Sequence, residues 1–411
     1  MSYPKHVVDD LGELAGYLLQ PPKDAELDAN GCFSKEACAR VDKMVLADLG
    51  PKLKGFYMPA EPARGTDPNN RWRTVSCLQK AIRFGDTEMA KFAASAAYDM
   101  DRKYLMRRLG ICAIEDVGAG SLYSLLAVLA ASSSQAWREA VDERRLACFL
   151  AEMLAQAPKD RSACELLVLV DFDRSLADEK LAWRDRASAE LGNIATSYLP
   201  DMNYRMCAAW LMAGTKKFWG MSMPKENDRP ATPLFALMAR EGMSRAMLYA
   251  AAKVASRLNE GMFVSLLFMD QWLRNSKDTA IIVEEIPPAP KVGKLLDAAY
   301  DMHTREGRVA IAKFKRENKA LLEPYVKFVT KDMEDTLLWF GVFVAEGGVL
   351  ARRLVYGGSG WLHDEAIRVE LAYPGLPDEM HEPYIDMLRG NLPVLNKCRE
   401  KVLLAVMKDK G

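Results

Sequence analysis

The chain has 411 residues, of which half are apolar and 27% are charged. This balance is typical of an ordinary folded protein, it excludes wholesale disorder, and the length allows two or three domains. Lysine plus arginine equals aspartate plus glutamate, at 56 each. The net charge therefore identifies no partner, and any electrostatic signal must come from local segregation of charge.

Eight scattered cysteines, without a C-x-x-C pair or a neighbouring histidine, favour a reducing compartment over a disulfide framework or a zinc site. The N-terminus Met1–His6 lacks an apolar core, so we expect no signal peptide. The most apolar stretches are shorter than the roughly 18 residues that span a bilayer: Leu122–Ala131, Met262–Met269 and Leu337–Ala345. We expect a cytoplasmic protein, located in the host cell if a phage encodes it, with no membrane contact.

The first 70 residues contain two predicted helices, Val7–Leu19 and Lys35–Leu49, and a loop at Gly55–Asn70. Closely spaced helices follow from residue 71, and Gly85-Asp86 and Asp101 are the expected end and cap of two of them. The predicted helices as far as residue 275 are Arg71–Phe84, Thr87–Tyr98, Arg102–Ile114, Leu122–Ala131, Glu139–Leu154, Ala187–Tyr198, Tyr204–Gly214, Pro233–Glu241, Ser244–Leu258 and Met262–Asn275.

Three prolines within four residues, at 287, 288 and 290, predict a linker over residues 281–290. Loops are expected at Gly347–Gly360 and Tyr373–Pro383, with one short strand at Ile367–Ala372. The predicted downstream helices are Val292–Met302, Val309–Lys319, Glu323–Ala345 and Leu392–Lys408. The predicted fold class is mainly α and multi-helical. The predicted divisions are 1–70, 71–190, 191–280 continuing the same core, the linker 281–290, and 291–411.

Catalytic motifs are absent from the sequence. There is no Walker pattern, and Gly118-Ala119-Gly120 and Gly358-Ser359-Gly360 lack the third glycine of a dinucleotide fingerprint. The four histidines do not form H-E-x-x-H, because Ile385 occupies the place of the second histidine after His381-Glu382. We expect no catalytic residue, cofactor or metal. An unfamiliar active site around His303 is the third-ranked alternative.

Charge is unevenly distributed along the chain. Residues 73–110 carry eight basic and four acidic side chains, residues 205–257 carry nine and three, and residues 291–331 carry ten and five. Residues 332–386 carry three basic and eleven acidic side chains, which favours a protein-docking surface or one that keeps DNA away.

Aromatic residues interleave with several of the basic clusters, as in Arg71-Trp72-Arg73 and Lys216-Lys217-Phe218-Trp219. Cations that follow a phosphate backbone, beside aromatics on which bases stack, are typical of single-stranded DNA-binding proteins. The opposing interpretation is a set of solvated helix faces with the aromatics in the core. The predicted DNA-binding residues are Arg71, Trp72, Arg73, Lys80, Arg83, Arg107, Arg108, Lys216, Lys217, Trp219, His303, Thr304, Arg305, Arg308, Lys313, Lys315 and Arg316.

His303 and Thr304 precede the basic helix at residues 309–319. One interpretation is a turn that holds a phosphate together with the helix N-terminus. The other, which we favour, is that Thr304 caps the helix and His303 closes the loop.

Four motifs follow one another between residues 76 and 173. They are S-C-L-Q-K-A-I-R at 76–83 followed by Gly85-Asp86, then Y-L-M-R-R-L at 104–109 with A-I-E-D-V-G at 113–118, and finally A-P-K at 157–159. In order and spacing this region resembles the helical C-terminal region of the MgsA/RarA family. These are replication-associated AAA+ ATPases related to the Werner-helicase-interacting protein and, more distantly, to clamp loaders.

The resemblance implies a helical, oligomer-forming collar associated with DNA at replication forks, without the ATPase module, whose motifs are absent upstream of residue 72. The sequence also departs from the family pattern at Lys91-Phe92-Ala93, where the family has tyrosine-tryptophan. Arg107 and Arg108 are then either DNA contacts or partners of Glu115 and Asp116. A stand-alone collar suits a bacteriophage, and a relation to the single-stranded DNA-binding transcription activator of N4-like phages is included in the prediction.

We therefore expect a non-enzymatic single-stranded DNA-binding accessory protein of phage-type replication or transcription. Its expected partners are single-stranded DNA, a polymerase or another replication protein, and copies of the chain itself. The alternative is an oligomeric, clamp-loader-like scaffold or adaptor that binds proteins only.

Overall fold

Alanine and leucine are the most frequent apolar residues of the chain and favour helix over strand. The computed structural model describes residues 3–58, 71–199, 201–215, 227–287, 290–292 and 295–408. The protein is 74% helical and 4% strand, so the predicted mainly α, multi-helical fold class is confirmed. Within the described residues, no helix is both long enough and apolar enough to cross a membrane.

Helices make up most of the described chain. In chain order they are α1 Lys5–Leu11, α2 Ala15–Leu18, α3 Lys35–Gly55, α4 Arg71–Phe84, α5 Thr87–Cys112, α6 Leu122–Ser133, α7 Gln135–Ala140, α8 Glu143–Gln156, α9 Ser162–Asp171, α10 Ala177–Trp183, α11 Ser188–Thr196, α12 Met202–Ala213, α13 Thr232–Arg240, α14 Arg245–Lys253, α15 Leu266–Asn275, α16 Arg305–Glu317, α17 Lys319–Val326, α18 Glu334–Val342, α19 Ser359–Ala372 and α20 His381–Lys408. Three single-turn π-helices extend α5, α14 and α18: Ala113–Val117, Val254–Leu258 and Phe343–Gly347.

The described residues include two small antiparallel sheets, of which one connects distant parts of the chain. Strand β1 Thr279–Ile282 pairs with β4 Arg353–Tyr356, with Thr279 opposite Tyr356. The short strands β2 Lys291–Val292 and β3 Leu295–Leu296 pair with each other. Because β1 ends inside the predicted linker 281–290 and pairs with β4, the segments on either side of that linker are joined by a sheet.

Apolar side chains form two cores. The larger core is built by most of the helices from α1 to α15, together with β4 and α19. The smaller core is built by α16, α18 and α20. Phe172 packs against both, and its ring lies 5.2 Å from the rings of Phe340 and Tyr373. The two cores are therefore in contact through aromatic side chains.

Several predicted elements are confirmed. Helix α4 has the predicted bounds, and Gly85 ends it with a φ of +71°, a conformation that favours glycine. The predicted cap Asp101 is present, since its carboxylate accepts the Tyr104 N–H at 3.0 Å. Asp101 itself is non-helical, with φ −163° and ψ 92°, so it kinks α5 between the two helices that the sequence predicts.

Other predicted elements are wrong. The predicted strand Ile367–Ala372 lies inside α19, because its alternation of apolar and charged residues imitates a strand while packing on α9 favours helix. The predicted helix Val292–Met302 is replaced by β2, β3 and a 3₁₀ turn at Asp297–Ala299. The residues of β3 and of this turn are buried. Helix α20 begins at His381, inside the predicted loop 373–383. Glu139–Leu154 is interrupted because Asp142 caps α8 at Arg145.

Candidate nucleic-acid interface

An aromatic pair joins the start of α4 to α5, with Trp72 exposed and Tyr104 half-buried. Trp72 is 52% exposed, and its ring centroid lies 5.5 Å from that of Tyr104 in an edge-to-face arrangement. The Arg71 guanidinium lies 5.2 Å from the Trp72 ring and 5.1 Å from the Tyr104 ring. Arg71 also pairs with Asp101 at 3.2 Å. An exposed indole beside a cation offers an unpaired base a stacking surface and its phosphate a charge.

The kink in α5 positions Tyr104 in this cluster. Asp101 restarts the helix, and Tyr104, on the first turn after the kink, packs against Trp72. The sequence analysis did not include Tyr104 among the DNA-binding residues. Its position in a basic region and its aromatic ring were the only available signals, and both are common among core residues.

A second exposed group lies on α16. Arg305, Arg308 and Arg316 are exposed, and at 3.6 residues per turn they fall within about 80° of one another around the helix. Ala310, Ile311 and Phe314 are buried on the opposite face. Among the residues that the structure describes, none forms an ion pair with these three arginines. They form a stripe of uncompensated positive charge.

Two buried ion pairs join α4 to the start of α16 and to the turn that precedes it. Arg73 Nη2 donates to Glu306 Oε1 at 2.8 Å, and Lys80 Nζ donates to Asp301 Oδ2 at 2.7 Å. The exposed start of α4 and the arginine stripe therefore belong to neighbouring elements. We define the Trp72 surface as the residues Arg71, Trp72, Tyr104, Arg305, Arg308 and Arg316.

Thr304 and His303 have the roles that we favoured from the sequence. The Thr304 hydroxyl is buried, accepts the Gly307 N–H at 3.1 Å and donates to the Asp301 carbonyl at 3.1 Å. It is a helix cap, so Thr304 is removed from the predicted DNA contacts. His303 is exposed at the surface, and its backbone N–H donates to Asp301 Oδ1 at 2.9 Å.

Three of the predicted DNA-binding side chains are buried: Arg73, Lys80 and Arg83 are 4%, 2% and 2% exposed. Each is paired with carboxylates inside the protein. A cation enclosed in this way is not available to a phosphate, so these residues are also removed. The sequence could not reveal this burial, because a basic side chain on a helix is exposed more often than not.

Arg107 and Arg108 do not pair with Glu115 or Asp116 as one interpretation proposed. Arg107 pairs with Glu260 at 2.7 Å with its side chain 43% exposed, and Arg108 donates to Gln79 Oε1 at 2.8 Å. Lys313 and Lys315 are neutralised by acidic residues of α16 and α18. Lys216, Lys217 and Trp219 lie outside the described residues.

Arg83 is the centre of a buried polar network. Its Nε donates to Asp116 at 2.6 Å, its Nη2 to Glu115 at 2.8 Å and its Nη1 to the Gly347 carbonyl at 2.7 Å. These acceptors lie on two of the π-helices, so one guanidinium connects the ends of α5 and α18. The network explains why a helix-interior arginine is needed at this position.

The A-P-K turn contributes a second buried cation. Lys159 Nζ donates to the carbonyls of Leu154 and Ala155, at 3.0 and 2.8 Å, and also to that of Ala157. Burial lowers the pKa of Lys159 to about 7. The lysine therefore caps the C-terminal end of α8. Residues of the motifs that carry the resemblance thus meet inside the protein, whereas Tyr104 and Arg107 of the motif at 104–109 reach its surface.

The predicted acidic region is largely exposed. Asp364, Asp378, Glu379, Glu382 and Asp386 lie at the surface of α19, α20 and the turn between them. His363, which adjoins Asp364, is not fully exposed to solvent. It is half-buried, and its Nδ1 lies 2.6 Å from Glu165 Oε1. Among the described residues, no three potential metal ligands converge.

Comparisons with family models, curated proteins and solved structures find no match for the chain.

Proposed function

We propose that the chain is a non-enzymatic single-stranded DNA-binding protein and that the strand crosses the Trp72 surface. The observation that supports this function best is the exposed Trp72 ring, packed against Tyr104 and flanked by Arg71, beside a stripe of exposed arginines. Only an unstacked base presents its face to an indole, so this arrangement favours single strands over a duplex.

We expect Trp72 and the arginines to contribute to DNA binding in different ways. Stacking of a base is worth about 1–3 kcal/mol by alanine substitution, whereas each neutralised phosphate adds about 0.7 to the slope of log affinity against log salt. Arg305, Arg308 and Arg316 together account for a slope of about 2. Trp72 should therefore dominate the affinity at high salt, and the arginines should dominate its salt dependence.

The role in phage-type replication or transcription is supported by the resemblance to the MgsA/RarA collar. Recruitment of a polymerase or another replication protein is supported by the exposed carboxylates between Asp364 and Asp386. An acidic face beside a DNA-binding one steers a basic partner and repels the nucleic acid from the docking surface.

The direct test is fluorescence anisotropy of labelled single-stranded and duplex DNA across a salt series. We expect tighter binding to the single strand, weakening steeply as salt rises. Equal binding to both forms would contradict the stacking mechanism, and no binding at low salt would refute the proposal.

Two matched substitutions separate the stacking contribution from general damage. Trp72→Ala should weaken single-strand binding about 5- to 150-fold, the equivalent of about 1–3 kcal/mol. Trp361→Ala is the control, because Trp361 is 53% exposed but lies on the acidic α19. Equal effects of the two substitutions would exclude the Trp72 surface as the site where the single strand binds.

The arginine stripe is tested by the salt slope. Replacing Arg305, Arg308 and Arg316 together with alanine should reduce the slope by about 2. The control removes three exposed, unpaired lysines of α3, namely Lys35, Lys43 and Lys54. An unchanged slope in the arginine variant would place the phosphate path elsewhere, with Lys216, Lys217 and Trp219 as the next predicted residues to substitute.

The clamp-loader-like scaffold is the second candidate. It is favoured by the burial of the motif residues Lys80, Arg83 and Lys159, because a resemblance carried by interior residues concerns the helical framework. If no DNA binds at low salt, sedimentation analysis should then show a stable oligomer. A monomer that binds no DNA would refute both functions.

A further inference from the structure

A cavity of about 870 Å³ lies between α9, α19, α20 and the turn that follows α18. This is within the range of small-molecule sites in proteins, about 300–1,000 Å³. Its rim is exposed and charged, with Asp364, Arg389 and Lys397, whereas Asp297 and Val344 are buried in its wall. The cavity is distinct from the Trp72 surface, and none of its lining residues belongs to that surface.

The wall of the cavity contains a buried carboxylate without a partner. Asp297 is fully buried, and neither of its side-chain oxygens has a hydrogen-bond donor among the described residues. The neighbouring Arg399 is already engaged: its guanidinium bonds to Glu346 at 2.8 and 3.1 Å, to Asn396 at 2.6 Å and to the Tyr300 carbonyl at 3.1 Å. A buried carboxylate left unpaired is unfavourable unless something else pairs with it.

A second carboxylate in the lining has no ion-pair or hydrogen-bond partner in the described part of the chain. Glu370 of α19 lies near Arg161 and Glu165, and burial raises its pKa to about 7. Burial, together with the carboxylates of Glu346 and Glu400, likewise raises the pKa of Asp297 to about 7.

The other charged pairs in the lining are satisfied internally. Glu284 pairs with Arg353 at 2.6 Å, and Glu165 pairs with His363 at 2.6 Å. Arg161 lies 3.6 Å from Asp116, so its charge is compensated from behind the cavity. The acidic lining residues outnumber the four basic ones: Glu165, Glu284, Glu285, Asp297, Asp364, Glu370 and Glu400.

The chemistry of the lining indicates the class of ligand. Val168, Val344, Ile367 and Leu392 supply an apolar surface beside the carboxylates. The absence of converging metal ligands among the described residues argues against an inorganic cation, and the volume is far larger than an ion needs. An anion would meet two carboxylates that already lack partners.

We propose that this cavity binds a small organic cation, whose ammonium or guanidinium group pairs with Asp297, in the negative field to which Glu370 adds, and whose apolar part contacts Val344 and Leu392. Such a ligand supplies the donor that Asp297 lacks and covers the apolar wall. The site is independent of DNA binding, so either proposal can fail without the other.

The test uses three probes with one ring system and different charge: tryptamine, tryptophol and indole-3-acetate. Binding to the full chain is measured by ligand-observed NMR at a pH near 8, where both carboxylates are ionised. We expect tryptamine to bind and the other two to bind at least about tenfold more weakly. Equal binding of tryptophol, preferred binding of indole-3-acetate, or no tryptamine binding at concentrations up to about 10 mM would overturn the proposal.

Two substitutions locate the site. Asp297→Asn should lower tryptamine affinity about tenfold or more, since it removes the charge but keeps the shape. Asp364→Asn, at the exposed rim, is the matched control and should change the affinity less than about twofold. Thermal unfolding checks that each variant folds, and Glu370→Gln replaces Asp297→Asn if the latter does not. Unchanged affinity in the folded Asp297 or Glu370 variant would overturn the assignment.

Discussion

Arg83 and Asp297 are both buried charged residues, but their surroundings differ. Arg83 donates to two carboxylates and a carbonyl, and its partners connect two helix ends. Asp297 has no donor among the described residues, although Arg399 lies close to it, because Arg399 is committed to Glu346. Arg83 therefore stabilises the fold, whereas Asp297 lowers the stability of the unliganded protein.

The comparison separates two meanings of a buried charge. When the partners come from the chain itself, the charge specifies the packing, and removing one side leaves the other unpaired. When the chain supplies no partner and the residue lines a cavity, the missing partner is more naturally a ligand. Three predictions test this distinction, from the largest expected effect to the smallest.

Arg83→Ala should lower the free energy of unfolding by about 3–5 kcal/mol, because Glu115 and Asp116 would remain buried without their cation. Chemical denaturation monitored by circular dichroism measures this value. Arg107→Ala is the control, since its pair with Glu260 is half-exposed and should contribute only about 0–1 kcal/mol. Similar losses in both variants would contradict the structural role of the Arg83 network.

Asp297→Asn should raise the free energy of unfolding at pH 8. The pKa of Asp297 in the folded state is about 7, above the unfolded value of about 3.9. The folded state therefore binds the proton more tightly, and this contribution to stability falls as pH rises from about 4 to about 7. The full shift corresponds to about 4 kcal/mol, which we reduce to about 1–3 kcal/mol because the buried asparagine amide of the variant would also lack hydrogen-bond partners.

Asp301→Asn is the matched control, with the opposite sign. Lys80 lowers the pKa of Asp301 to about 2, so its contribution to stability is present above about pH 4 and is lost as pH falls toward 2. Unfolding curves at pH 4, 6 and 8 should show the Asp297 variant gaining stability relative to the native chain and the Asp301 variant losing it. A loss of stability in both variants would mean that Asp297 has a partner in the folded protein.

Thr304→Ala should lower the free energy of unfolding by about 1 kcal/mol, because the Gly307 N–H loses its acceptor. Thr304→Ser keeps the hydroxyl and should restore most of this stability. Single-strand binding measured by anisotropy should be unchanged in both variants. A large loss of binding in the alanine variant alone would instead revive the phosphate-binding interpretation of this turn.

Local signals predicted much of the secondary structure. Arg71–Phe84, the Gly85 stop and the Asp101 cap follow from periodicity and capping preferences that act within one or two turns. The wrong strand at Ile367–Ala372 and the wrong helix at Val292–Met302 have one cause. In each case the spacing of the apolar residues was compatible with both helix and strand, and contacts with distant elements decided between the two.

The candidate site was only partly predictable. The sequence identified Arg71, Trp72, Arg305, Arg308 and Arg316 as basic and aromatic clusters. It also identified Arg73, Lys80 and Arg83, which are buried, because sequence composition does not distinguish a solvated cation from one enclosed by carboxylates more than 30 residues away. The cavity had no sequence signal, since its lining is drawn from residues 161 to 400.

The sequence by itself determined the helical class, the capped and glycine-terminated helices and the location of the basic, aromatic and acidic segments, because these depend on neighbours along the chain. The tertiary structure alone decided which charges are buried, that Tyr104 lies beside Trp72, that residues of the resemblance motifs meet in the interior, and that Asp297 lacks a partner. Those properties depend on side chains that meet only after folding, and the burial and pairing of a charge depend on all of its neighbours together.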